Sequence, residues 1–342
     1  MKKIALIFSV FILIVTSFSC QSKKGSSNKK DVVYYLETLS ENSLRKHLTI
    51  IAHDSLEGRE TGSDGMKKAA KYITDFYKSN GIKAPATNPD YLQFIPSEYF
   101  TRPNRKRYPD CNNLIAIIEG SDKADEYVVI SAHHDHVGVQ EGEVMNGADD
   151  NGSGTVALLE IAEALQKAKN EGNGPRRTVV ILHVTGEEHG LNGSRFYVEN
   201  PIYPLEKTIA NVNIDMIGRR ANDRLNDDNY LYVIGSDRLS TDLHKISDGA
   251  NQKYIGLNLD YKYNDPNDKN RFYFRSDHYN FAKNGIPAMF YFNGVHDDYH
   301  KSTDTVDKID FPQYLKRTRL AFAVVWELAN VENRPVVDKD GK

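Results

Sequence analysis

Apolar side chains recur every three or four residues in the first part of the chain, over residues 32–81. The positions that follow this spacing are Leu44, Leu48 and Ile51, then Ala69, Ala70, Ile73, Phe76 and Tyr77. This period places the apolar side chains on one face of a helix, and it predicts two helices. Residues 90–100 and 113–119 lack the period and indicate extended segments. The apolar run at 127–132 is typical of a strand buried on both faces.

The rest of the chain alternates between short apolar runs and longer stretches with helical spacing. The pattern predicts strands at 178–184, 208–215, 230–234 and 287–292, and helices at 154–168, 191–199, 239–251 and 311–331. Such alternation favours an α/β fold, with a mostly parallel sheet covered by helices on both faces. Two stretches, 222–228 and 261–274, have no clear period, and we expect them to form loops at the mouth of a site.

Composition narrows the class of protein. The 342 residues are 39% hydrophobic and 27% charged, which is ordinary for a globular domain and excludes a protein with many membrane spans. The net charge is −3, and no stretch combines Lys and Arg with aromatic residues, so we expect no nucleic-acid partner. Our working interpretation is one domain over residues 32–332, followed by a polar tail at 333–342.

The first residues carry an export signal. Two lysines precede an apolar run at 4–15 that is too short to span a bilayer, and small residues lead up to Cys20. Residues 1–20 therefore resemble a bacterial lipoprotein signal peptide, with Cys20 as the lipidated residue. Residues 21–31 are polar and rich in Ser and Lys, and they predict a flexible tether. We expect an exported protein of the cell envelope, periplasmic or associated with the outer membrane; Cys111 is then left without a disulfide partner.

Polar residues cluster where the predicted strands end. The clusters are His133 to His136 after the strand at 127–132, Glu187 and Glu188 after 178–184, Asp215 at the end of 208–215, and His300 after 287–292. A further pair, Asp149 and Asp150, precedes the helix at 154–168. Ligands of open α/β sheets bind outside the carboxyl ends of the strands, so these side chains are expected to meet.

The residue types in these clusters fit a metal centre. Zn²⁺ accepts imidazole and carboxylate ligands, and two histidines with three acids can hold two ions if one carboxylate bridges them. Two ions about 3.5–4 Å apart polarise a carbonyl and activate a water molecule. In the adjacent pair Glu187 and Glu188, one carboxylate can bind metal while the other accepts the proton of the attacking water.

Five sequence motifs occur in the order found in one family of enzymes. The motifs are SAHHDHVG, NGADDNGSG, TGEEHGLNGS, NIDMIG and DYHKSTDT; the match covers His133 to Thr305, and HDSLEGRETGS and SDHYNFAKNGIPA extend it. They resemble the M28 family of zinc exopeptidases, which includes bacterial leucyl-type aminopeptidases. The resemblance implies a three-layer α/β/α fold with a central mixed, mostly parallel sheet, and a peptide substrate.

The resemblance also implies a role for each motif residue. His133 would bind one zinc and His300 the other, Asp149 would bridge the two ions, and Glu188 and Asp215 would complete the two sites. Glu187 would be the general base, and Asp135 would orient the imidazole of His133. The family's cis peptide bond is expected after the bridging aspartate, here between Asp149 and Asp150. Tyr273 occupies the place of a tyrosine that stabilises the tetrahedral intermediate. His134, His183, His189 and His296 are expected to be structural or to face the substrate.

Three alternatives stay open on the sequence alone. One is a glutaminyl cyclase of similar fold with a single zinc, although His133 and an undisturbed GADDNGSG motif disfavour it. A second is a carboxypeptidase or dipeptidase of the same family, because the motifs do not fix which peptide terminus is cut. The third is a binding protein without activity, which the complete set of ligands disfavours. Side-chain specificity, the native metal and the oligomeric state are not readable from the sequence.

Overall fold

The order of helices and strands follows the hydrophobic pattern closely. The computed structural model describes residues 30–100 and 107–341. The helices in these ranges are α1 (Val32–Leu36), α2 (Glu41–Ile51), α3 (Asp64–Ser79), α4 (Ser97–Phe100), α5 (Gly154–Asn170), α6 (Asn192–Glu199), α7 (Thr241–Tyr254), α8 (His278–Lys283) and α9 (Phe311–Asn330). The strands are β1 (Leu92–Ile95), β2 (Cys111–Ile118), β3 (Lys123–His133), β4 (Val139–Gln140), β5 (Glu143–Val144), β6 (Arg177–Val184), β7 (Thr208–Ile214), β8 (Tyr230–Ile234), β9 (Asn258–Asp260) and β10 (Ala288–Phe292).

Eight of these strands form one mixed sheet, in the order β1-β2-β6-β3-β7-β10-β8-β9. The four central strands β6, β3, β7 and β10 run parallel to one another. Strand β2 pairs antiparallel with β6, and β8 pairs antiparallel with β10. The prediction of a mixed, mostly parallel sheet is therefore confirmed. The carboxyl ends of the four parallel strands meet at one edge, which positions whatever side chains follow them.

Alternating side chains of the central strands pack on opposite faces of the sheet. Val128 and Ile130 of β3 belong to the larger apolar core, which includes α5 and α9, whereas Val129 belongs to the smaller core beside α6 and α8. A strand turns successive side chains to opposite faces, so an uninterrupted apolar run such as 127–132 fits only a sheet covered on both sides. The three-layer α/β/α arrangement follows directly from this pattern.

The predictions differ from the structure mainly near the N-terminal side of the sheet. Residues 32–81 form three helices rather than two, because α1 ends before Ser40 caps α2 through the backbone N–H of Ser43. Only Leu92–Ile95 of the stretch 90–100 is a strand, and Ser97–Phe100 is helical. The residues described from Asp31 onward group into one compact unit.

The proposed signal peptide, Cys20 and nearly all of the tether lie outside the described residues. Within the two described ranges, no helix combines the length and apolar character needed to cross a membrane.

Candidate metal centre

The polar side chains predicted to meet do gather at the carboxyl edge of the parallel strands. His133 is the last residue of β3, and Asp215 follows directly after β7. Glu187 and Glu188 lie in the turn after β6, and His300 lies in the loop after β10. Neighbouring parallel strands hold these groups a few ångströms apart although they are distant in sequence.

The first set of donor atoms surrounds the imidazole of His133. Its Nε2 atom lies 3.3 Å from Oδ1 of Asp215 and 3.4 Å from Oδ1 of Asp150. His133 is 1% exposed and Asp215 is 7% exposed, so both groups are removed from bulk water. Burial lowers the pKa of His133, but the carboxylates of Asp215 and Glu187 outweigh it and hold that pKa well above the ordinary value.

The second set of donor atoms surrounds the imidazole of His300. Its Nε2 atom lies 3.0 Å from Oδ2 of Asp150 and 3.1 Å from Oε2 of Glu188. Burial lowers the pKa of His300, and the carboxylates of Asp150 and Glu188 reverse that effect and raise it to about 10. Two separate groups of ligand atoms therefore share one residue, Asp150.

Asp150, and not Asp149, occupies the bridging position. The two oxygens of its carboxylate face different histidines, since Oδ1 is directed to His133 and Oδ2 to His300. The prediction of Asp149 at this place was wrong by one residue. The cis peptide bond is displaced in the same way, and lies between Asp150 and Asn151 rather than between Asp149 and Asp150.

Asp149 faces away from this cluster and is fully engaged elsewhere. Its Oδ1 atom accepts hydrogen bonds from the backbone N–H of Gly218 at 2.6 Å and from Oγ of Ser153 at 3.0 Å. Its Oδ2 atom lies 3.1 Å from Nε2 of His296. In the irregular turn Ala148–Ser153, Asp149 therefore contacts His296, whereas Asp150 faces His133 and His300.

Gly147 allows the chain to bring Asp150 into place. Its φ of +53° lies in the left-handed region. A Cβ atom at this position would lie 2.1 Å from the carbonyl oxygen of Asp150 and 2.5 Å from the ring of His136. The carboxylate of Asp304 accepts the backbone N–H groups of Asp149 and Asp150 at 3.0 and 3.1 Å, which fixes the same segment from the other side.

Glu187 lies beside the imidazole of His133, but farther from it than Asp150 and Asp215 do. Its Oε2 atom is 4.0 Å from Nε2 of His133, and its side chain is 11% exposed. Burial raises the pKa of Glu187 well above its ordinary value, and the neighbouring carboxylates of Glu188 and Asp215 raise it further, against the opposing effect of His133. A carboxylate in this environment is suited to accept and return a proton.

Asp135 supports the site differently from the prediction. The backbone carbonyl of Asp135, rather than its carboxylate, lies within hydrogen-bond distance of Nδ1 of His133, at 3.0 Å against 3.8 Å for Oδ1. The carboxylate instead accepts the backbone N–H of Glu187 at 3.3 Å and the hydroxyl of Thr61 at 2.8 Å. Asp135 thus positions both the imidazole and the candidate general base.

Tyr273 does not line the pocket beside the ligands. It is 5% exposed and packs beneath the guanidinium of Arg238, whose Cζ atom lies 4.6 Å from its ring centre. Residues 272–274 form a single tight turn, and Phe272 and Tyr273 are both buried in the smaller core, but only Phe272 also lines the pocket. The tyrosine that does line the pocket is Tyr299, whose ring stacks on that of His300 with centres 3.9 Å apart.

Three further residues, which the sequence analysis did not single out, contact the candidate ligands or the backbone around them. His136 is fully buried and its Nδ1 atom lies 2.8 Å from Oε1 of Glu188. The hydroxyl of Ser276 donates to Oδ2 of Asp215 at 2.6 Å, which leaves Oδ1 directed at His133. Buried Arg59 donates to the carbonyls of Ile51, His134, Asn146 and Gly147. The sequence could have indicated all three residues. His136 belongs to the motif SAHHDHVG, Arg59 to HDSLEGRETGS and Ser276 to SDHYNFAKNGIPA.

The other histidines beside the motifs lie outside the ligand clusters. Nδ1 of His134 donates to the carbonyl of Val184, His183 lies 2.6 Å from the hydroxyl of Tyr77, and the His189 ring stacks on Tyr108. Together with His296 they have structural partners in the described part of the chain.

The donor atoms fit divalent cations. Oδ2 of Asp150 and Nε2 of His300 are buried and lie 3.0 Å apart, yet neither has a hydrogen-bond partner of acceptable geometry. Ligand atoms that converge without bonding one another are the arrangement a metal ion requires, and the mixture of imidazole and carboxylate suits Zn²⁺. Three overlapping groups of ligand atoms converge in this way. His133, Asp150 and Asp215 form the first, His136, Asp150, Glu188 and His300 the second, and His133, Glu187 and Glu188 the third.

Comparison with solved structures defines the class of fold. The LapA aminopeptidase of Legionella pneumophila has a TM-score of 0.65 and 24% identity, with 87% of this chain and 74% of that chain covered. The glutaminyl cyclase of Porphyromonas gingivalis has a TM-score of 0.66 and 19% identity, with 84% and 98% covered. The fold is therefore shared by enzymes of two different activities.

The family model for peptidase family M28 matches residues 113–325, and the chain belongs to that family. A probable leucine aminopeptidase of Arthroderma otae is 30% identical over 224 residues, which is 64% of this chain. The chain spans 57% of the length of that relative.

Proposed function

We propose that the protein is a zinc-dependent aminopeptidase that removes N-terminal residues from peptides through a two-metal centre. The observation that carries this proposal is the carboxylate of Asp150, whose oxygens face His133 and His300 separately. A single-metal site has no need of a carboxylate placed between two histidines. The family and the aminopeptidase relative are consistent with this activity.

Each side chain has a role in the proposed reaction. His133 and Asp215 would hold one zinc, His300 and Glu188 the other, and Asp150 both; when bound, the ions supply electrophilic assistance to the scissile carbonyl. Glu187 accepts a proton from the attacking water and returns it to the leaving amine. Asp135 keeps Glu187 in place through the backbone N–H of Glu187.

Metal removal tests the centre directly. We expect a chelator to abolish hydrolysis of leucyl-aminomethylcoumarin and to lower the melting temperature, because the carboxylates of Asp150, Glu188 and Asp215 lose the cations that offset their charge. A ligand present at one hundred times its Kd stabilises the folded state by about 2.7 kcal/mol. Added Zn²⁺ should restore both properties. Full activity in protein shown by elemental analysis to contain no metal would contradict the proposal.

A second candidate activity is that of a glutaminyl cyclase, because a solved cyclase matches the fold as well as the aminopeptidase does. Metal content and product separate the two activities. An aminopeptidase should hold two ions per chain and release free amino acids from unblocked peptides. One ion per chain, with conversion of N-terminal glutamine to pyroglutamate, would support the cyclase. Peptides blocked at the N-terminus test the polarity, since only a carboxypeptidase would cleave them.

We further propose that the protein is exported and held in the cell envelope by a lipid on Cys20. The support is the charged and apolar pattern of residues 1–20. Replacing Cys20 by Ser should move the protein from the detergent phase to the aqueous phase on phase separation and abolish incorporation of labelled fatty acid. Cys111→Ser is the matched control, because Cys111 is the second of the two cysteines and is buried in the domain. Equal partitioning of the Cys20 variant and the wild type would disprove the anchor.

A further inference from the structure

Arg275 is a positive charge at the edge of an acidic pocket. The pocket next to the candidate metal centre has two walls of different character. One wall contains the carboxylates of Asp150, Glu187 and Asp215, and the other is formed by Met216, Phe272, Phe290, Phe292, Val295 and Tyr299. Arg275 also lines this pocket.

The guanidinium of Arg275 is held in place but has no charged partner in the described part of the chain. Its Cζ atom lies 4.9 Å from the ring centre of Phe272, so the group is stacked against the aromatic wall. The nearby arginines Arg219, Arg220 and Arg224 all pair with aspartates. Arg275 forms no such ion pair with any described residue, and its side chain is exposed.

Arg275 lines the same pocket as Tyr299, whose ring stacks on the imidazole of His300. A ligand in the pocket would meet the positive charge of Arg275.

The chemistry of a guanidinium determines what it can recognise. Its N–H groups form a planar fork that binds a carboxylate through two hydrogen bonds, and it repels ammonium groups.

We propose that Arg275 binds a carboxylate of the substrate. This inference rests on the proposed aminopeptidase function. The carboxylate has two possible sources in a peptide: the acidic side chain of the N-terminal residue, or the C-terminal carboxylate of a dipeptide. Substrates of this class should be cleaved faster than their uncharged analogues of equal size, and N-terminal lysine should be disfavoured.

Two ratios of kcat/KM measured on the metal-replete full-length enzyme distinguish the sources. The first compares glutamyl- with glutaminyl-aminomethylcoumarin, and the second compares the dipeptide Leu-Gly with Leu-Gly-amide. Arg275→Met removes the charge and keeps the apolar stem. We expect it to lower at least one ratio about tenfold or more, as befits the loss of a hydrogen bond to a charged group. Arg275→Lys should restore part of that ratio, and Arg275→Glu should invert the preference.

Arg271→Met is the matched control. Arg271 lies four residues earlier, is exposed and stacks on Phe274 at 5.1 Å, but does not line the pocket. Both ratios should be unchanged in this variant.

A fall in the first ratio with Arg275→Met assigns the carboxylate to the N-terminal side chain, and a fall in the second assigns it to the C-terminus. Ratios that equal the wild-type values in Arg275→Met would overturn the inference while leaving aminopeptidase activity established by the uncharged substrates. Failure of the wild type to cleave any unblocked substrate would instead refute the proposed function, and this inference with it.

Discussion

Replacing Glu187 by Gln is expected to lower kcat by about a thousandfold while both metal ions remain bound. General acid–base catalysis typically contributes a factor of about 10²–10⁴ in rate, and an amide can neither accept the proton of water nor return it to the leaving amine. The structure separates Glu187 from the ligands, since Asp150, Asp215 and Glu188 lie closer to the two histidines. Metal content by elemental analysis and kcat on leucyl-aminomethylcoumarin, measured on the same sample, check the result.

Glu188→Gln is the informative comparison, because the two residues are adjacent and the chemical change is identical. Glu188 lies 3.1 Å from His300 and 2.8 Å from His136, so its replacement should lower metal content as well as activity. A Glu187→Gln enzyme that retains a tenth or more of the wild-type kcat with full metal content would remove Glu187 from the role of general base.

The fold was predictable because its central strands are buried on both faces. A strand such as β6 consists entirely of buried residues, and its apolar run has no other stable environment in a protein of this composition. The short elements were less predictable. Strand β9 has only three residues, all partly exposed, and pairs with β8 at the edge of the sheet, so its sequence carries no periodic signal.

The sequence predicted which types of residue would bind metal, but not which of two adjacent aspartates would lie between the histidines. Two of the five predicted ligands, His133 and Asp215, lie at strand ends, where the topology fixes which residue leaves the sheet first. Glu188 and His300 lie in the loops that follow β6 and β10. The fifth comes from an irregular turn at Ala148–Ser153 that contains two adjacent aspartates, and the backbone of Asp150 and Asn151 there is not helical. Which of two neighbouring carboxylates faces inward depends on backbone angles that composition does not encode. Tyr273 was misplaced for a similar reason, because Phe272 of the same turn lines the pocket and Tyr273 does not.

Asp150→Asn is expected to empty the centre, whereas Asp149→Asn should leave it filled. An amide offers one neutral oxygen where Asp150 offers two charged ones, so it cannot serve the sets around His133 and His300 together. Asp149 needs mainly an acceptor for the backbone N–H of Gly218 and the hydroxyl of Ser153, and an amide oxygen supplies one. We expect Asp150→Asn to hold at most one ion per chain and to lose about a thousandfold in kcat, and Asp149→Asn to hold two with a loss of about tenfold.

Comparing Asp150→Asn with Asp149→Asn also excludes an explanation based on charge alone. Both substitutions remove one negative charge from the same turn, so a difference between them cannot come from net charge or from the loss of a carboxylate as such. Circular dichroism on both variants checks that the fold is retained. The opposite result, with metal lost from Asp149→Asn and kept by Asp150→Asn, would return the bridging role to the residue that the sequence first indicated. Equal metal loss in both would mean that the turn acts as a unit, since Asp304 holds the backbone N–H groups of both residues.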